Sequence, residues 1–275
     1  MSLFSIGSVP VGLDQGLFVI AGPCVIEGFD LCMEVAGKLL DVQKATGVPI
    51  IFKGSFDKAN RSSITSYRGP GMEKGLEILA RVRDETSLPV MTDVHLPEQA
   101  QPVAEVVDCV QIPAFLCRQT DLLAACAKTK KPVSVKKGQF VSPEEMTNVV
   151  GKLRACGNEK IMLTERGTFF GYNRLVNDFG GFSVMKSLGC PVIFDATHST
   201  QQPGGLGGTS GGARQLTPVL ARAAVAAGAN GLFMETHPDP DNAKCDAACM
   251  IPTDWITKIV SDCSAIFEIV KKSAG

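Results

Sequence analysis

The chain has 275 residues, of which 45% are hydrophobic, which is enough for a sizeable core in one large domain or two small ones. Its 27 basic and 28 acidic residues give a formal net charge of −1, which argues against a nucleic-acid partner and against an anionic membrane surface. Any anion-binding site must therefore be built by a local group of cations.

The N-terminal segment and the cysteines indicate the compartment. The first basic residue is Lys38, so the basic segment of a secretory signal is lacking, and no uninterrupted apolar run approaches the length of a membrane span. The 10 cysteines include no C-x-x-C pair. Because a chain of this length without a secretory signal normally keeps its thiols reduced, we expect free cysteines and a cytoplasmic protein without membrane contact.

One pattern repeats along the whole chain: a short apolar or β-branched run followed by a stretch with helical spacing. Strands that are apolar on both faces and alternate with amphipathic helices indicate a parallel sheet. The strand-like runs are LFVIAG at 17–22, VPIIFKG at 48–54, LPVMTD at 88–93, DCVQIP at 108–113, KPVSVK at 131–136, EKIMLTE at 159–165, CPVIFDAT at 190–197 and NGLFMET at 230–236.

Eight such units in about 250 residues predict an α/β protein with a (β/α)8 TIM-barrel fold, as a single catalytic domain over 1–275. Residues 4–14 predict a short β-hairpin that caps the bottom of the barrel. A doubly wound open sheet is the alternative. Against it, GPCVIEG follows the first strand in place of a G-x-G-x-x-G turn, and no change in composition marks a second domain.

In a TIM barrel the active site lies at the C-terminal ends of the strands, so the residues there are the candidates for function. Polar residues are expected wherever strands leave the core and meet water. Lysine and arginine, however, normally lie on helix faces, so the convergence of Lys53, Lys136 and Arg166 on a nearly neutral protein predicts an anionic ligand. In chain order, the strand ends carry Cys24, Lys53, Asp93, Gln111, Lys136, Arg166, Asp195 with His198, and Glu235.

A second set of strand-end residues suits a metal ion. Cys24, His198, Glu235 and Asp246 offer one thiol, one imidazole and two carboxylates. Sulfur and nitrogen donors favour Zn²⁺ or Fe²⁺ over Mg²⁺, and the oxygen donors leave Mn²⁺ and Co²⁺ open. Taken alone, each residue is more simply a core thiol or a member of an ion pair, so the prediction depends on the barrel.

Two loops carry further signals. In KGSFDKANRSS at 53–63, Arg61 and Ser62 offer a guanidinium and a hydroxyl to phosphate oxygens, although a solvated charged loop would look similar. The glycine-rich segment QQPGGLGGTSGG at 201–212 lacks the Lys-Ser/Thr ending of a P-loop. We expect this segment to be a flexible lid over the barrel mouth, with a merely disordered loop as the alternative.

Over essentially its whole length, the sequence resembles the 3-deoxy-D-manno-octulosonate 8-phosphate synthases, also called 2-dehydro-3-deoxyphosphooctonate aldolases. The related heptulosonate 7-phosphate synthases typically carry K-P-R-T where this chain has KANRS at 58–62, which favours the octulosonate family. The stretches that carry the resemblance are AGPCVIE, KGSFDKANRSS, RGPG, PVMTDVH, QIPAFLCRQTDLL, VKKGQF, LTERGTFFGYN, FDATHSTQQPGG and METHPDPDNAKCDA.

The resemblance implies a condensation of phosphoenolpyruvate with D-arabinose 5-phosphate and water, on the way to the inner core of lipopolysaccharide. It implies that phosphoenolpyruvate meets Lys58, Lys136 and Arg166, with Gln111 and the backbone of Ala114 and Phe115 nearby. Lys53, Asn60 and Asp93 would lie toward the pentose, whose phosphate Arg61 and Ser62 would hold. The catalytic group would be Lys53, Lys58, Asn60, Asp93, Lys136 and His198, and Asp195 would belong to the substrate-binding group.

The resemblance also bears on metal and assembly. Family members with Asn in place of Cys24 work without metal, so Cys24 places this chain with the metal-dependent members, whose ligand positions match Cys24, His198, Glu235 and Asp246. The metal could orient or polarise the aldehyde, or activate water. Cys245 and Cys249 offer competing thiols. Because the phosphate clamp reaches a neighbouring subunit in the family, we expect a homo-oligomer, a tetramer.

Two alternatives stay open at this point. One is a sister synthase that uses another aldose phosphate, against which KANRS at 58–62 argues. The other is a barrel that binds sugar phosphates without turnover, against which the intact Asn60, Asp93, Lys136 and Arg166 argue.

Overall fold

The computed structural model describes residues 3–61, 63–169, 174–203 and 211–273. Eight parallel strands form one closed sheet, because the seventh strand pairs with both the sixth and the eighth, and the eighth pairs with the first. The predicted (β/α)8 barrel is thereby confirmed, and the alternative prediction of a doubly wound open sheet is wrong. The strands are β1 (Phe18–Gly22), β2 (Ile50–Lys53), β3 (Val90–Asp93), β4 (Cys109–Ile112), β5 (Val133–Lys136), β6 (Ile161–Glu165), β7 (Val192–Asp195) and β8 (Gly231–His237).

A helix follows each barrel strand and packs its apolar face on the outside of the sheet. The first helix ends at Gly47, whose φ of 69° lies in the left-handed region that glycine adopts without strain. Within the described residues, no helix combines the length and the apolar character that crossing a membrane requires. The helices are α1 (Phe29–Thr46), α2 (Met72–Thr86), α3 (Ala100–Val106), α4 (Thr120–Lys128), α5 (Met146–Ala155), α6 (Gly181–Ser187), α7 (Thr217–Ala226) and α8 (Thr253–Ser273).

The inside of the barrel consists of an apolar layer below and a polar layer above. Successive side chains of a strand point to opposite faces, so residues two positions apart share the barrel interior. Ile51 of β2 and Phe233 of β8 belong to the buried apolar layer. Two positions later on the same strands, Lys53 and Glu235 line the cavity at the mouth of the barrel. The period that builds the core therefore also delivers the polar side chains to the site.

An N-terminal hairpin closes the bottom of the barrel, as predicted. Its strands, Phe4–Ile6 and Val9–Val11, pair antiparallel. The alternate residues Phe4, Ile6, Val9 and Val11 are buried and form one cluster with the apolar layer inside the barrel. Gly7 turns the hairpin at a φ of +54°, where an added Cβ would lie 2.7 Å from Cγ of Pro89.

Short antiparallel pairs lie beyond the ends of β6 and β7. Thr168–Phe169 pairs with Leu175–Val176, and Gln201–Gln202 pairs with Gly211–Gly212. Most of the glycine-rich segment expected to form a lid, residues 204–210, lies outside the described residues, and so does Ser62. The assignment of 1–275 to a single domain stays a prediction.

Candidate active site

A cavity of about 580 Å³ opens at the C-terminal ends of the barrel strands. Cys24 and Asp195 do not line this cavity: both are fully buried, and they contact residues that do. The predicted site residues in the cavity wall are Lys53, Lys58, Asn60, Arg61, Asp93, Gln111, Ala114, Phe115, Lys136, Arg166, His198, Glu235 and Asp246.

Asp195, the last residue of β7, holds two cavity residues in place. Its Oδ2 accepts hydrogen bonds from Lys136 Nζ at 2.6 Å and from His198 Nδ1 at 2.7 Å. Its Oδ1 accepts one from the backbone N–H of His198 at 2.9 Å. Burial alone would raise the pKa of the Asp195 carboxyl, but the charges of His198 and Lys136 outweigh it and hold this pKa well below its ordinary value. Asp195 therefore stays ionised and positions both partners.

The hydrogen bond from Nδ1 to Asp195 leaves the other ring nitrogen of His198 facing two carboxylates. Nε2 lies 3.4 Å from Glu235 Oε2 and 3.8 Å from Asp246 Oδ2. A carboxylate that accepts from one imidazole nitrogen fixes the tautomer and leaves the second nitrogen free to bind a metal ion. His198 thus has the orientation that a metal ligand needs.

Among the described residues, two overlapping groups of donor atoms could hold a cation. His198, Glu235 and Asp246 form one, and Cys24, Cys245 and Asp246 form the other, with the atoms of each group within 4.8 Å of one another. Asp246 belongs to both and has a φ of 47°, in the left-handed region that residues other than glycine adopt only a few per cent of the time. The predicted ligands Cys24, His198, Glu235 and Asp246 are thus brought together.

Glu235 links this donor group to two lysines. Its Oε1 lies 3.3 Å from Lys53 Nζ and 3.7 Å from Lys58 Nζ. Burial alone would raise the pKa of Glu235, but His198, Lys58 and Lys53 lower it to about 2. Lys53 also lies 3.6 Å from Asp93 Oδ1. The two lysines and the two carboxylates therefore form one continuous charged wall.

Arg166 brings a buried guanidinium donor to the cavity that has no hydrogen-bond partner among the described residues. Its Nη2 donates to Gln201 Oε1 at 2.5 Å, while its Nη1 is buried without a hydrogen bond to any part of the chain that the structure describes. Gln201 in turn donates from Nε2 to Asp246 Oδ1 at 3.2 Å. A buried guanidinium nitrogen without a partner is a donor available to an anion.

The rim of the cavity carries Asn60, Phe115 and Arg61. Asn60 is exposed, and Phe115 is 53% exposed. Arg61 donates from Nη1 to Cys245 Sγ at 2.8 Å and from Nη2 to the carbonyl oxygen of Lys244 at 3.4 Å. Arg61 therefore faces the cavity of its own barrel, and its expected reach into a neighbouring subunit stays a prediction.

The structure adds site residues to which the sequence analysis gave no role. Ser55 bridges two predicted residues, because its Oγ accepts from Lys53 Nζ at 2.6 Å and donates to Asp93 Oδ1. The ring of Phe233 lies 3.7 Å from Lys136 Nζ, a cation–π contact. Gln139 and Gln201 line the cavity. Ser55 and Gln201 lie in KGSFDKANRSS and FDATHSTQQPGG, two of the stretches that carry the family resemblance. Membership in these stretches is the sequence feature that could have identified them.

Comparison with known proteins identifies the family of this chain and several similar proteins. Residues 4–269 match the model of the DAHP synthetase I family. The chain belongs to this family. A curated relative from Nitratidesulfovibrio vulgaris is 59% identical over 252 residues, which cover 92% of each chain. A relative from Paracidovorax citrulli is 54% identical over 96% of this chain and 94% of its own. A third, from Legionella pneumophila, is 54% identical over 95% of both chains.

All three of these members of the family carry the name 2-dehydro-3-deoxyphosphooctonate aldolase. The resemblance inferred from the sequence motifs is thereby confirmed, and with it the expectation of an enzyme in place of a binding protein without turnover.

Proposed function

We propose that this chain condenses phosphoenolpyruvate with D-arabinose 5-phosphate and water to give 3-deoxy-D-manno-octulosonate 8-phosphate and inorganic phosphate. The observation that carries the proposal is the convergence of Lys53, Lys58, Lys136 and Arg166 on one cavity, in a family whose relatives bear the aldolase name. Two phosphorylated substrates, one of them also a carboxylate, need such a group of cations.

Phosphoenolpyruvate is assigned to the side of the cavity that holds Lys136 and Arg166. Nη1 of Arg166, which no described residue pairs with, can donate to a phosphate or carboxylate oxygen. Lys136 is held by Asp195 and by the ring of Phe233, so its ammonium group is fixed before a ligand arrives. Gln111, Lys58 and the backbone at Ala114 and Phe115 complete this side.

Arabinose 5-phosphate is assigned to the opposite side. Lys53, Asn60 and Asp93 contact the pentose. Arg61, at the rim, binds its phosphate together with Ser62, which lies outside the described residues. The aldehyde carbon then lies near the enol carbon of phosphoenolpyruvate. A bond forms between these two carbons, water adds to the second carbon of phosphoenolpyruvate, and phosphate leaves. The fixed cations offset the negative charge that gathers on the aldehyde oxygen.

A divalent cation is part of the proposal, because the donor set fits one. Cys24 Sγ, His198 Nε2 and the carboxylates of Glu235 and Asp246 lie in the two overlapping donor groups. This mixture of sulfur, nitrogen and oxygen suits Zn²⁺, Fe²⁺, Mn²⁺ or Co²⁺. When bound, such an ion supplies Lewis acidity to the aldehyde oxygen or to the attacking water.

The proposal includes the oligomeric state of the protein and its location in the cell. The family resemblance supports a homotetramer in the cytoplasm, with a product that serves the inner core of lipopolysaccharide. Analytical ultracentrifugation at several concentrations tests the tetramer, and a monomer that turns over at full rate would contradict it.

The test of the function is phosphate release from phosphoenolpyruvate, measured with arabinose 5-phosphate, with erythrose 4-phosphate and without an aldose. Release that requires arabinose 5-phosphate is expected. A preference for erythrose 4-phosphate would favour the heptulosonate reaction, and binding without release would contradict an enzyme.

The cation is tested on the same protein after exhaustive chelation, with Zn²⁺, Fe²⁺, Mn²⁺ and Co²⁺ added back in turn. Loss of turnover and its recovery with particular ions are expected. Undiminished turnover by protein whose metal content is measured as zero would contradict the cation site while leaving the reaction intact.

A further inference from the structure

Two cysteines from distant parts of the chain direct their thiols at one carboxylate oxygen. Cys24 follows β1, and Cys245 lies in the loop after β8. The Sγ atoms of Cys24 and Cys245 donate to Asp246 Oδ2 at 3.2 Å and 3.4 Å, respectively. Both side chains are buried, with residue exposures of 0% for Cys24 and 3% for Cys245. Two buried thiols on one carboxylate oxygen form a compact set of soft and hard donors.

Cys245 also has a second polar contact that fixes its sulfur. Arg61 Nη1 donates to Cys245 Sγ at 2.8 Å, from the side of the cavity rim. An apolar role for Cys245 has some support, because it clusters with Val25 and Met250. A sulfur that only filled this cluster would not need a guanidinium on one side and a carboxylate on the other.

We propose that Cys245 is a further ligand of the cation, so that the site has five donor residues and two sulfurs. Asp246 joins the two halves, because its carboxylate belongs both to the group with Cys24 and Cys245 and to the group with His198 and Glu235. On binding, each thiol loses its proton to solvent and no electron is transferred. The inference rests on the proposed cation site and is independent of the proposed reaction.

A second sulfur changes which ions the site prefers. Thiolates favour Zn²⁺, Co²⁺ and Fe²⁺, whereas Mn²⁺ prefers oxygen donors. We therefore expect the wild-type protein to bind Mn²⁺ much more weakly than Zn²⁺, and replacement of Cys245 by serine to narrow this difference. The comparison is a binding measurement and requires no turnover.

The decisive experiment is the absorption spectrum of the full-length protein loaded with Co²⁺, since each cobalt–thiolate bond adds near-ultraviolet charge-transfer intensity. Per bound cobalt, we expect Cys245→Ser and Cys24→Ser each to reduce this intensity to about half. Cys249→Ser is the matched control: Cys249 is also buried in the same loop, but its sulfur faces the carbonyl oxygen of Gly211 at 3.8 Å and lies in neither donor group.

The outcomes separate the inference from the site on which it rests. A spectrum that Cys24→Ser reduces and Cys245→Ser leaves unchanged would overturn the role of Cys245 and keep the cation site. Failure of the wild-type protein to take up Co²⁺ in equilibrium dialysis would overturn both. Cys245→Ala is measured in parallel, with circular dichroism, so that a folding defect in one variant does not decide the result.

Discussion

The carboxylate of Asp195 lies 2.6 Å from the ammonium group of Lys136. Both side chains are buried, at the ends of β7 and β5, which are separated by β6. The same oxygen accepts the Nδ1 hydrogen of His198. Asp195 therefore connects the cations assigned to phosphoenolpyruvate with the donor group assigned to the metal ion. Asp195 lies outside the cavity wall, so we expect it to position these groups, in place of the substrate contact that the sequence predicted.

Replacement of Asp195 by asparagine tests this connection. Asparagine keeps the shape but removes the charge that balances Lys136 and fixes the His198 tautomer. Loss of such an outer carboxylate typically costs about 10–100-fold in metal affinity or activity. We expect a fall of this size in kcat. We also expect a larger dissociation constant for Zn²⁺, measured by competition with a chromophoric chelator.

The matched control is Asp241→Asn, at an exposed carboxylate that pairs with Arg214 and belongs to neither donor group. This variant is expected to behave as wild type. Unchanged kcat and zinc affinity in Asp195→Asn would show that the bond to His198 has no role in the site.

Arg61→Ala tests the assignment of the pentose phosphate. Loss of a charge-assisted hydrogen bond costs about 1.5–3 kcal/mol, which corresponds to an increase of about tenfold or more in the KM for arabinose 5-phosphate. The KM for phosphoenolpyruvate is expected to stay nearly constant, because Arg166 and Lys136 are unchanged. Initial rates with each substrate varied in turn give both constants.

Arg68→Ala provides the control for Arg61. Arg68 lies in the same connection between β2 and α2, but its guanidinium pairs with Asp57 and does not line the cavity. If Arg61→Ala and Arg68→Ala had the same kinetic constants, the assignment of Arg61 to the phosphate would be wrong.

The sequence predicted the barrel because the strand-like runs and helical stretches repeat with little interruption, and the barrel then fixed where strand ends meet. The sequence alone therefore predicted that Lys136, Asp195 and Glu235 belong to one site. The sequence did not predict which loop side chains contact each other, because those contacts depend on the path of each loop. Gln201 illustrates this: it joins Arg166 to Asp246 from the loop after β7.

The role of Phe233 could not be predicted for a different reason. Its sequence context, NGLFMET, is that of an ordinary core strand, and the residue does belong to the apolar layer. Its ring face is nevertheless the surface on which Lys136 rests. Phe233 packs in the apolar layer and also contacts a lysine of the polar layer. The alternation of side chains along a strand does not distinguish such a boundary position from an ordinary core position.

A buried ion pair beside the site predicts a strong effect on stability. Lys137 Nζ lies 3.4 Å from Glu165 Oε2, with both side chains 0% exposed. Burial raises the pKa of the Glu165 carboxyl, against the opposing charge of Lys137. Lys137→Met leaves the carboxylate buried without its cation, so we expect a loss of about 3–5 kcal/mol in the free energy of unfolding, measured with urea.

The double variant Lys137→Met with Glu165→Gln is expected to lose less than the sum of the two single changes, because it removes the uncompensated charge. Lys74→Met, in an exposed pair with Glu77, serves as the control and should barely move the urea midpoint. Strictly additive losses in the double variant would mean that Lys137 and Glu165 are not coupled.

The N-terminal hairpin predicts an effect on stability without one on catalysis. Ile6 is 0% exposed and packs in the apolar layer at the end of the barrel opposite the cavity. Ile6→Ala removes buried methyl and methylene groups from a closed cluster, which typically costs about 2–5 kcal/mol. Ser5, on the same strand, is exposed, so Ser5→Ala is the matched control. We expect a lower urea midpoint for Ile6→Ala alone, with kcat and both KM values unchanged below the unfolding transition. A large fall in kcat in folded Ile6→Ala protein would mean that the hairpin also controls the geometry of the polar layer, since the two layers share the same strands.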